Sequence, residues 1–140
     1  MTAPLLKVEN LRTHLHLRRG VVKAVDGISF EVHEGETLGI VGESGSGKTM
    51  TCLSILQLLP THGGARLDGS IRLDGENLLD LNEDQMAAQV RGQKVAMISQ
   101  DPMTSLNPVY TVGDQVSGPF LYHKLVKTAR EAWAAAAAGL

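Results

Sequence analysis

The sequence has one cysteine, no long apolar run and no excess of basic charge. Cys52 alone cannot form a disulfide within the chain, which fits a reducing compartment. No apolar run reaches the length of about 18 residues that a membrane-spanning helix needs, so no direct membrane span is predicted. The formal net charge of −2 argues against a nucleic-acid partner. The first residues lack the layout of a signal peptide, and we therefore expect a cytoplasmic protein.

One short stretch matches the phosphate-binding pattern G-x-x-x-x-G-K-[ST] at every position. It consists of Gly42, Glu43, Ser44, Gly45, Ser46, Gly47, Lys48 and Thr49. Its glycines leave room for backbone N–H groups to surround a phosphate, and they permit positive φ angles. Lys48 supplies a cation for the β- and γ-phosphates, and Thr49 supplies a hydroxyl for Mg²⁺. The pattern predicts binding of Mg-ATP or Mg-GTP.

The flanks of the loop favour this interpretation over a Gly/Ser-rich turn that happens to precede a lysine. Residues 37–41 read as a short buried strand. Residues 48–59 read as a largely buried apolar helix that contains Cys52 and ends at Pro60. A strand, a loop and a helix in this order are the setting that the phosphate-binding loop requires.

The remaining elements are predicted from periodicity and from turn residues. Strands are expected over residues 7–17, 21–32, 70–73 and 95–98, the last as a buried parallel strand. Helices are expected over residues 83–91, 111–122 (with an interruption at Gly118 and Pro119) and 123–138.

Two further features narrow the choice among proteins that bind phosphate through such a loop. About forty β-rich residues precede it, and Gln100 follows the predicted strand at 95–98 within the run Gln-Asp-Pro-Met-Thr-Ser-Leu-Asn-Pro. Together they resemble the ATPase subunit of ATP-binding cassette (ABC) transporters. The run at 100–108 looks like the oligopeptide/dipeptide/nickel importer branch. The resemblance covers the chain from Val8 to about Tyr122.

The resemblance implies an α/β fold, the core of a P-loop NTPase cassette. Residues 1–36 would be its β-rich subdomain and 37–99 the phosphate-loop core with the start of a parallel sheet. Residues 100–140 would be the glutamine loop and the start of the helical subdomain. It also implies that ATP and Mg²⁺ bind, that Gln100 contacts Mg²⁺ and the attacking water, and that Lys48 and Gln100 are the catalytic residues present.

The resemblance also implies partners. A second ATPase subunit would form a homodimer or heterodimer with this one, and transmembrane permease subunits would hold it at the inner face of the plasma membrane. The transported substrate could be a dipeptide, an oligopeptide or a nickel chelate.

The chain departs from the family at two positions. Leu15 stands where the family usually has an aromatic residue that stacks on adenine, although Val21 or Val22 could supply an apolar contact instead. Ser99 stands where relatives often have phenylalanine.

The family's signature loop, its catalytic carboxylate and its switch histidine have no counterpart in the sequence. We therefore expect a truncated cassette that binds Mg-ATP weakly, hydrolyses it negligibly and folds marginally. One alternative is a non-catalytic module that docks on transporter partners. Another is a small P-loop kinase, which the long β-rich lead and the lack of an arginine-bearing lid disfavour.

Overall fold

The structure is a computed structural model, and it describes residues 3–59, 64–100 and 105–139. Contacts divide the chain into two compact units, Met1–Met86 and Ala87–Leu140. Within the described ranges, no helix is long and apolar enough to cross a membrane. This division differs from the subdomain boundaries expected after residues 36 and 99. Those boundaries concern functional subdomains and stay a prediction.

The first unit is built on an antiparallel sheet of four strands in the order β2-β1-β3-β4. The strands are β1 (Leu6–Leu17), β2 (Gly20–Val32), β3 (Ala65–Leu73) and β4 (Glu76–Asn77). The strands predicted over residues 7–17 and 21–32 are confirmed, the second as one continuous strand. The third begins earlier than predicted because residues 65–68, which include the charged Arg66 and Asp68, also pair with β1.

A bulge in β1 sets which side chains face the core. Asn10 has a φ of 48°, and the register of β1 with both neighbours shifts there. Gly69 of β3 lies against the backbone oxygens of Glu9 and Asn10, where a Cβ would collide. Beyond the bulge, alternation points Leu11, Thr13 and Leu15 to one face of the sheet. The buried apolar residues of this unit are Val8, Leu11, Val25, Leu56, Ile71, Leu73, Leu78 and Met86.

The helix after the phosphate-binding loop, α1 (Lys48–Ile55), is shorter than the predicted 48–59, since Gln57 has a φ of 52° and ends the helical path. The prediction of a largely buried helix is wrong. Its buried face carries Thr51 and Ser54, which pack on the sheet, while Cys52 is exposed. None of the apolar residues within α1 is fully buried, whereas Leu56, its C-cap, is buried.

The two predicted buried strands at 37–41 and 95–98 do not form among the described residues. Residues 37–41 belong to neither a helix nor a strand and are exposed, with Val41 at 94% exposure. In the second segment only a single bridge joins Val95 to Arg91, and Ile98 is 98% exposed. A parallel strand requires backbone pairing with a neighbour, and none of the described strands pairs with these segments. The expected start of a parallel sheet is thus not seen in the part of the chain that the structure describes.

Two short helical turns follow β4, a 3₁₀ turn at Leu78–Asp80 and α2 (Glu83–Gln85), and a π-helical turn at Met86–Val90 comes next. The second unit contains α3 (Val112–Tyr122) and α4 (Ala129–Ala138), which pack on each other. The interruption expected within α3 is absent, and Pro119 lies inside the helix. The helix predicted from 123 begins only at Ala129, since Thr128 and Glu131 form a capping box there.

Candidate functional site

The last glycine of the phosphate-binding loop rests on the second strand of the sheet. Thr13 pairs with Val25 and His14 pairs with Lys23, so Ala24 is an extra residue that forms a bulge in β2. Gly47 has a φ of 95°, and a Cβ on it would collide with the carbonyl oxygen of Ala24. Only glycine can therefore bring the loop this close to the strand in this conformation.

The helix behind the loop is joined to β1 by hydroxyl groups. The Ser54 hydroxyl donates to Met50 O at 2.6 Å, and the Thr13 and Ser54 oxygens lie 2.7 Å apart, both buried. A hydroxyl has one proton, so Ser54 accepts from Thr13. The Thr51 hydroxyl donates to Gly47 O at 3.0 Å. These bonds fix the position of α1, and of the loop that precedes it, relative to the sheet.

The Lys48 ammonium folds back onto the first half of the loop. It donates to the carbonyl oxygens of Gly42 at 2.8 Å and Glu43 at 2.7 Å, and lies 3.3 Å from the Ser46 hydroxyl. The positive charge thereby lies within the phosphate-binding loop, beside Gly42 and Glu43. Its acceptors are neutral oxygens, so among the described residues no carboxylate competes with an anion for this ammonium.

The start of α1 fits the triphosphate that the sequence predicts. The helix has Gly47 as its N-cap, and among the described residues no side chain forms a capping hydrogen bond with its first turn. Such a terminus attracts anions. A Cβ added to Gly45 would meet nothing within 4 Å, so that face of the loop is open. A cavity of about 340 Å³ lies there, within the range of about 300–1,000 Å³ of small-molecule sites.

The predicted phosphate-binding residues fall into three groups. Residues 45–49 line this cavity. Gly42 and Glu43 contribute carbonyl oxygens to Lys48, and Ser44 is exposed in a turn. Gln100 is exposed and belongs to the second unit, so its predicted contact with Mg²⁺ stays a prediction. Asp101 and the three residues after it, part of the run that carries the family resemblance, lie outside the described residues.

The structure adds residues that the motif does not reveal. Leu15, Val22, Lys23, Ala24 and Met50 also line the cavity. The role of Ala24 depends on a bulge, and the hydroxyl pair beneath the loop joins residues that are 41 positions apart. Neither leaves a signal that a single sequence could show.

Asp26 lies beside three basic side chains of the β1–β2 hairpin. Lys23 Nζ lies 3.2 Å from one of its oxygens, while His14 Nε2 and Arg12 Nε lie 3.5 and 3.8 Å from the other. The hydrogen bond from Lys23 is the main reason that the pKa of Asp26 lies below its usual value. Asp26 lines a second cavity of about 420 Å³ that shares Lys48 with the first. Its carboxylate is thus already paired with the Lys23 ammonium.

Comparison with known proteins decides the family. The family model described as "ABC transporter" matches residues 25–139. The chain belongs to the ABC transporter family. This membership gives no support to the alternative of a small P-loop kinase.

The relatives place the chain within the family. It is 46% identical over 123 residues to the oligopeptide transport ATP-binding protein AppD of Bacillus subtilis, across 88% of this chain and 37% of that protein. It is 50% identical over 125 residues to the probable peptide ABC transporter ATP-binding protein y4tR of Sinorhizobium fredii, across 89% and 37%. It is 45% identical over 119 residues to the dipeptide transport ATP-binding protein DppD of Bacillus subtilis, across 85% and 35%.

The predicted resemblance to the oligopeptide/dipeptide branch is therefore confirmed. The chain spans 35–37% of the length of these three relatives.

Proposed function

We propose that this chain holds the triphosphate of Mg-ATP as part of the ATP-binding subunit of a peptide importer. One observation carries the proposal: the open N-terminus of α1, the Lys48 ammonium and the uncovered face of Gly45 border the same cavity. Backbone N–H groups and one mobile cation are what a polyphosphate requires.

Lys48 has two alternative sets of acceptors in this proposal. Without ligand its ammonium is bound to the carbonyl oxygens of Gly42 and Glu43. With ligand it turns to the β- and γ-phosphates, while the N–H groups at the start of α1 bind the remaining phosphate oxygens. Thr49 lines the cavity one residue further on and offers its hydroxyl to Mg²⁺, with Gln100 as the second residue expected to reach the metal. When bound, Mg²⁺ neutralises part of the negative charge of the phosphates.

Binding of Mg-ATP to the 140-residue chain tests the proposal directly. Lys48→Ala should weaken binding about tenfold or more, since a hydrogen bond from a charged donor contributes about 1.5–3 kcal/mol. Lys127→Ala, an exposed lysine of the second unit, is the matched control and should leave the affinity unchanged. Equal binding by the wild type and Lys48→Ala in isothermal titration calorimetry would contradict the proposal.

Hydrolysis by the 140-residue chain should be negligible. No aspartate or glutamate of the described residues lines the cavity that holds residues 45–50. Asp26 lines the neighbouring cavity, but Lys23 already holds its carboxylate. An attacking water therefore lacks a base that could orient it. Steady phosphate release that disappears in Lys48→Ala would show that this part of the proposal is wrong.

The importer part of the proposal is supported by the relatives, which are named for oligopeptide, peptide and dipeptide transport. It places the protein in the cytoplasm against the inner face of the plasma membrane, bound to permease subunits and to a second ATPase subunit. A peptide is favoured over a nickel chelate as the transported substrate because those names concern peptides. Co-purification of this chain with the permease subunits is the test.

A docking role without catalysis has one observation in its favour. Val109 and Tyr110 of the second unit are 82% and 65% exposed, close in sequence to Gln100. An apolar pair on the surface is typical of a contact with another protein. In a pull-down with permease subunits, Tyr110→Ser should reduce capture while Lys48→Ala should not. Loss of capture in Lys48→Ala alone would instead tie docking to the nucleotide site.

A further inference from the structure

The end of the β1–β2 hairpin carries positive charge without acidic residues nearby in the sequence. Residues 10–25 include Arg12, Arg18, Arg19 and Lys23 but no aspartate or glutamate, although the whole chain has a formal net charge of −2. Arg12 and Lys23 pair with Asp26 at the far end of this stretch. Arg18 and Arg19 form the turn and are exposed, and among the described residues neither forms an ion pair. Two neighbouring guanidinium groups are therefore available to an anionic partner.

Apolar side chains flank the two arginines on both faces of the hairpin. Leu17 precedes the turn and is 50% exposed, and Val21 follows it and is 53% exposed. Val21 stands opposite His16 in the ladder, so these two side chains share a face. Leu17 points to the other face, because side chains alternate along a strand. The end of the hairpin is thus apolar on both faces and cationic at the turn between them.

We propose that the end of this hairpin, residues 17–21, inserts into the surface of a membrane that contains anionic lipids. Leu17 and Val21 enter the boundary between headgroups and acyl chains, and Arg18 and Arg19 bind the lipid phosphates. Apolar burial and attraction to anionic lipids both contribute to attachment at a membrane surface, and the hairpin supplies both. The inference goes beyond the proposed function, which attaches the chain to the membrane only through permease subunits.

The arrangement favours a lipid surface over a protein or a nucleic acid. A flat protein surface that covered Leu17 would leave Val21 exposed, since the two side chains lie on opposite faces, whereas insertion of the hairpin by its end buries both. A single-stranded nucleic acid binds through aromatic side chains that stack on its bases, and residues 10–25 contain no aromatic residue. An anionic lipid surface uses both the apolar and the cationic side chains.

Co-sedimentation of the 140-residue chain with vesicles tests the inference. Vesicles of phosphatidylcholine and phosphatidylglycerol in equal parts are compared with vesicles of phosphatidylcholine alone. The chain should bind the anionic vesicles at least about tenfold more tightly, because each arginine near an anionic surface raises the affinity about fivefold. The difference should shrink as the salt concentration rises, since salt screens exposed charges. Equal binding to both kinds of vesicle, or binding to neither, would overturn the inference.

Variants of the hairpin assign the binding to its residues. Replacing Arg18 and Arg19 together by glutamine should weaken binding to anionic vesicles about 25-fold, and replacing both by lysine should retain most of it. The double variant Leu17→Ser/Val21→Ser keeps the charges and should weaken binding about threefold to tenfold without changing its dependence on salt. Circular dichroism checks that each variant keeps the fold of the wild type.

A matched control removes the same charge elsewhere. Lys124 and Lys127 are exposed and belong to the second unit, and their joint replacement by glutamine should weaken vesicle binding less than about threefold. A loss as large as that of the arginine pair would show that attraction follows only the net charge, and it would overturn the inference.

Two other results would also overturn it. If Lys48→Ala abolishes vesicle binding and the glutamine variant of Arg18 and Arg19 does not, the headgroups bind at the phosphate-binding loop and not at the hairpin. If Leu17→Ser/Val21→Ser binds vesicles as the wild type does and a duplex oligonucleotide displaces the chain from them, the hairpin is a general site for polyanions and does not insert into the lipid surface.

Discussion

Removing the Ser54 hydroxyl should destabilise the first unit more than removing the Thr13 hydroxyl. Both residues are fully buried, and the proton between them belongs to Thr13 because Ser54 donates its own to Met50 O. Ser54→Ala therefore leaves a buried donor without its acceptor. Thr13→Val leaves Ser54 still bonded to Met50 O and replaces the hydroxyl with a methyl group of similar shape.

The magnitudes follow from this asymmetry. A buried polar group without a partner costs about 1–3 kcal/mol, so Ser54→Ala should lower the free energy of unfolding by that amount. Thr13→Val should cost about 0.5–1.5 kcal/mol, the usual net contribution of one hydrogen bond. The double variant should lose less than the sum of the two, because it removes donor and acceptor together. We expect a coupling energy of about 1 kcal/mol.

Urea unfolding followed by circular dichroism gives the free energy of unfolding of the wild type, the two single variants and the double variant. In thermal unfolding, a loss of about 1 kcal/mol corresponds to about 4–8 °C in Tm for a unit of this size. Ser117→Ala is the control, since that hydroxyl donates to Asp114 O within its own helix and its loss should change stability little. Additive effects of Thr13→Val and Ser54→Ala, or a larger cost for Thr13→Val, would refute the assigned direction of the proton.

Three further predictions concern other parts of the chain. Gly47→Ala should cost about 1–3 kcal/mol in urea unfolding and abolish Mg-ATP binding, because its Cβ would meet the Ala24 carbonyl in a strained backbone conformation; wild-type affinity would contradict this. Gly113→Ala should displace the Trp133 ring that covers it, cost about 1–3 kcal/mol and red-shift the emission of the chain's single tryptophan; an unchanged spectrum would count against the contact. The lowered pKa of Asp26 means that its stabilisation is present above the unfolded value of about 3.9 and is lost as the pH falls through the folded value. The drop in Tm from about pH 5 to pH 2.5 should therefore be smaller in Asp26→Asn, and equal drops would refute the pairing.

The phosphate-binding loop could be predicted because its requirements are local. Gly47 needs a positive φ, Lys48 must follow it, and a helix must begin there, and all three are visible in consecutive residues. The β1–β2 hairpin was also predictable, since its strands alternate and its turn is marked by Arg18, Arg19 and Gly20. In both cases the interactions that stabilise the element lie within a short stretch of the chain.

The errors lie where an apolar pattern depends on distant partners. Residues 37–41 and 95–98 have the composition of buried strands, but composition does not supply the neighbouring strand that a ladder requires. The reverse error occurred in β3, where residues 65–68 include two charged side chains, Arg66 and Asp68, and still pair with β1. The burial of α1 failed for the same reason. The face of α1 that packs on the sheet carries Thr51 and Ser54, and the apolar residues of the helix are partly buried or exposed.

The two halves of the phosphate-binding loop are held by different means, and this bears on affinity. The second half rests on β2 through Gly47 and follows α1, whereas Gly42 and Glu43 continue the exposed segment at 37–41 and are tied down by the Lys48 ammonium. A triphosphate that takes the ammonium breaks both of these exposed carbonyl bonds and replaces them with bonds to charged oxygens, which are stronger. The phosphates must replace that stabilisation before any net affinity appears. Weak binding by this chain is therefore expected even though every residue of the motif is present.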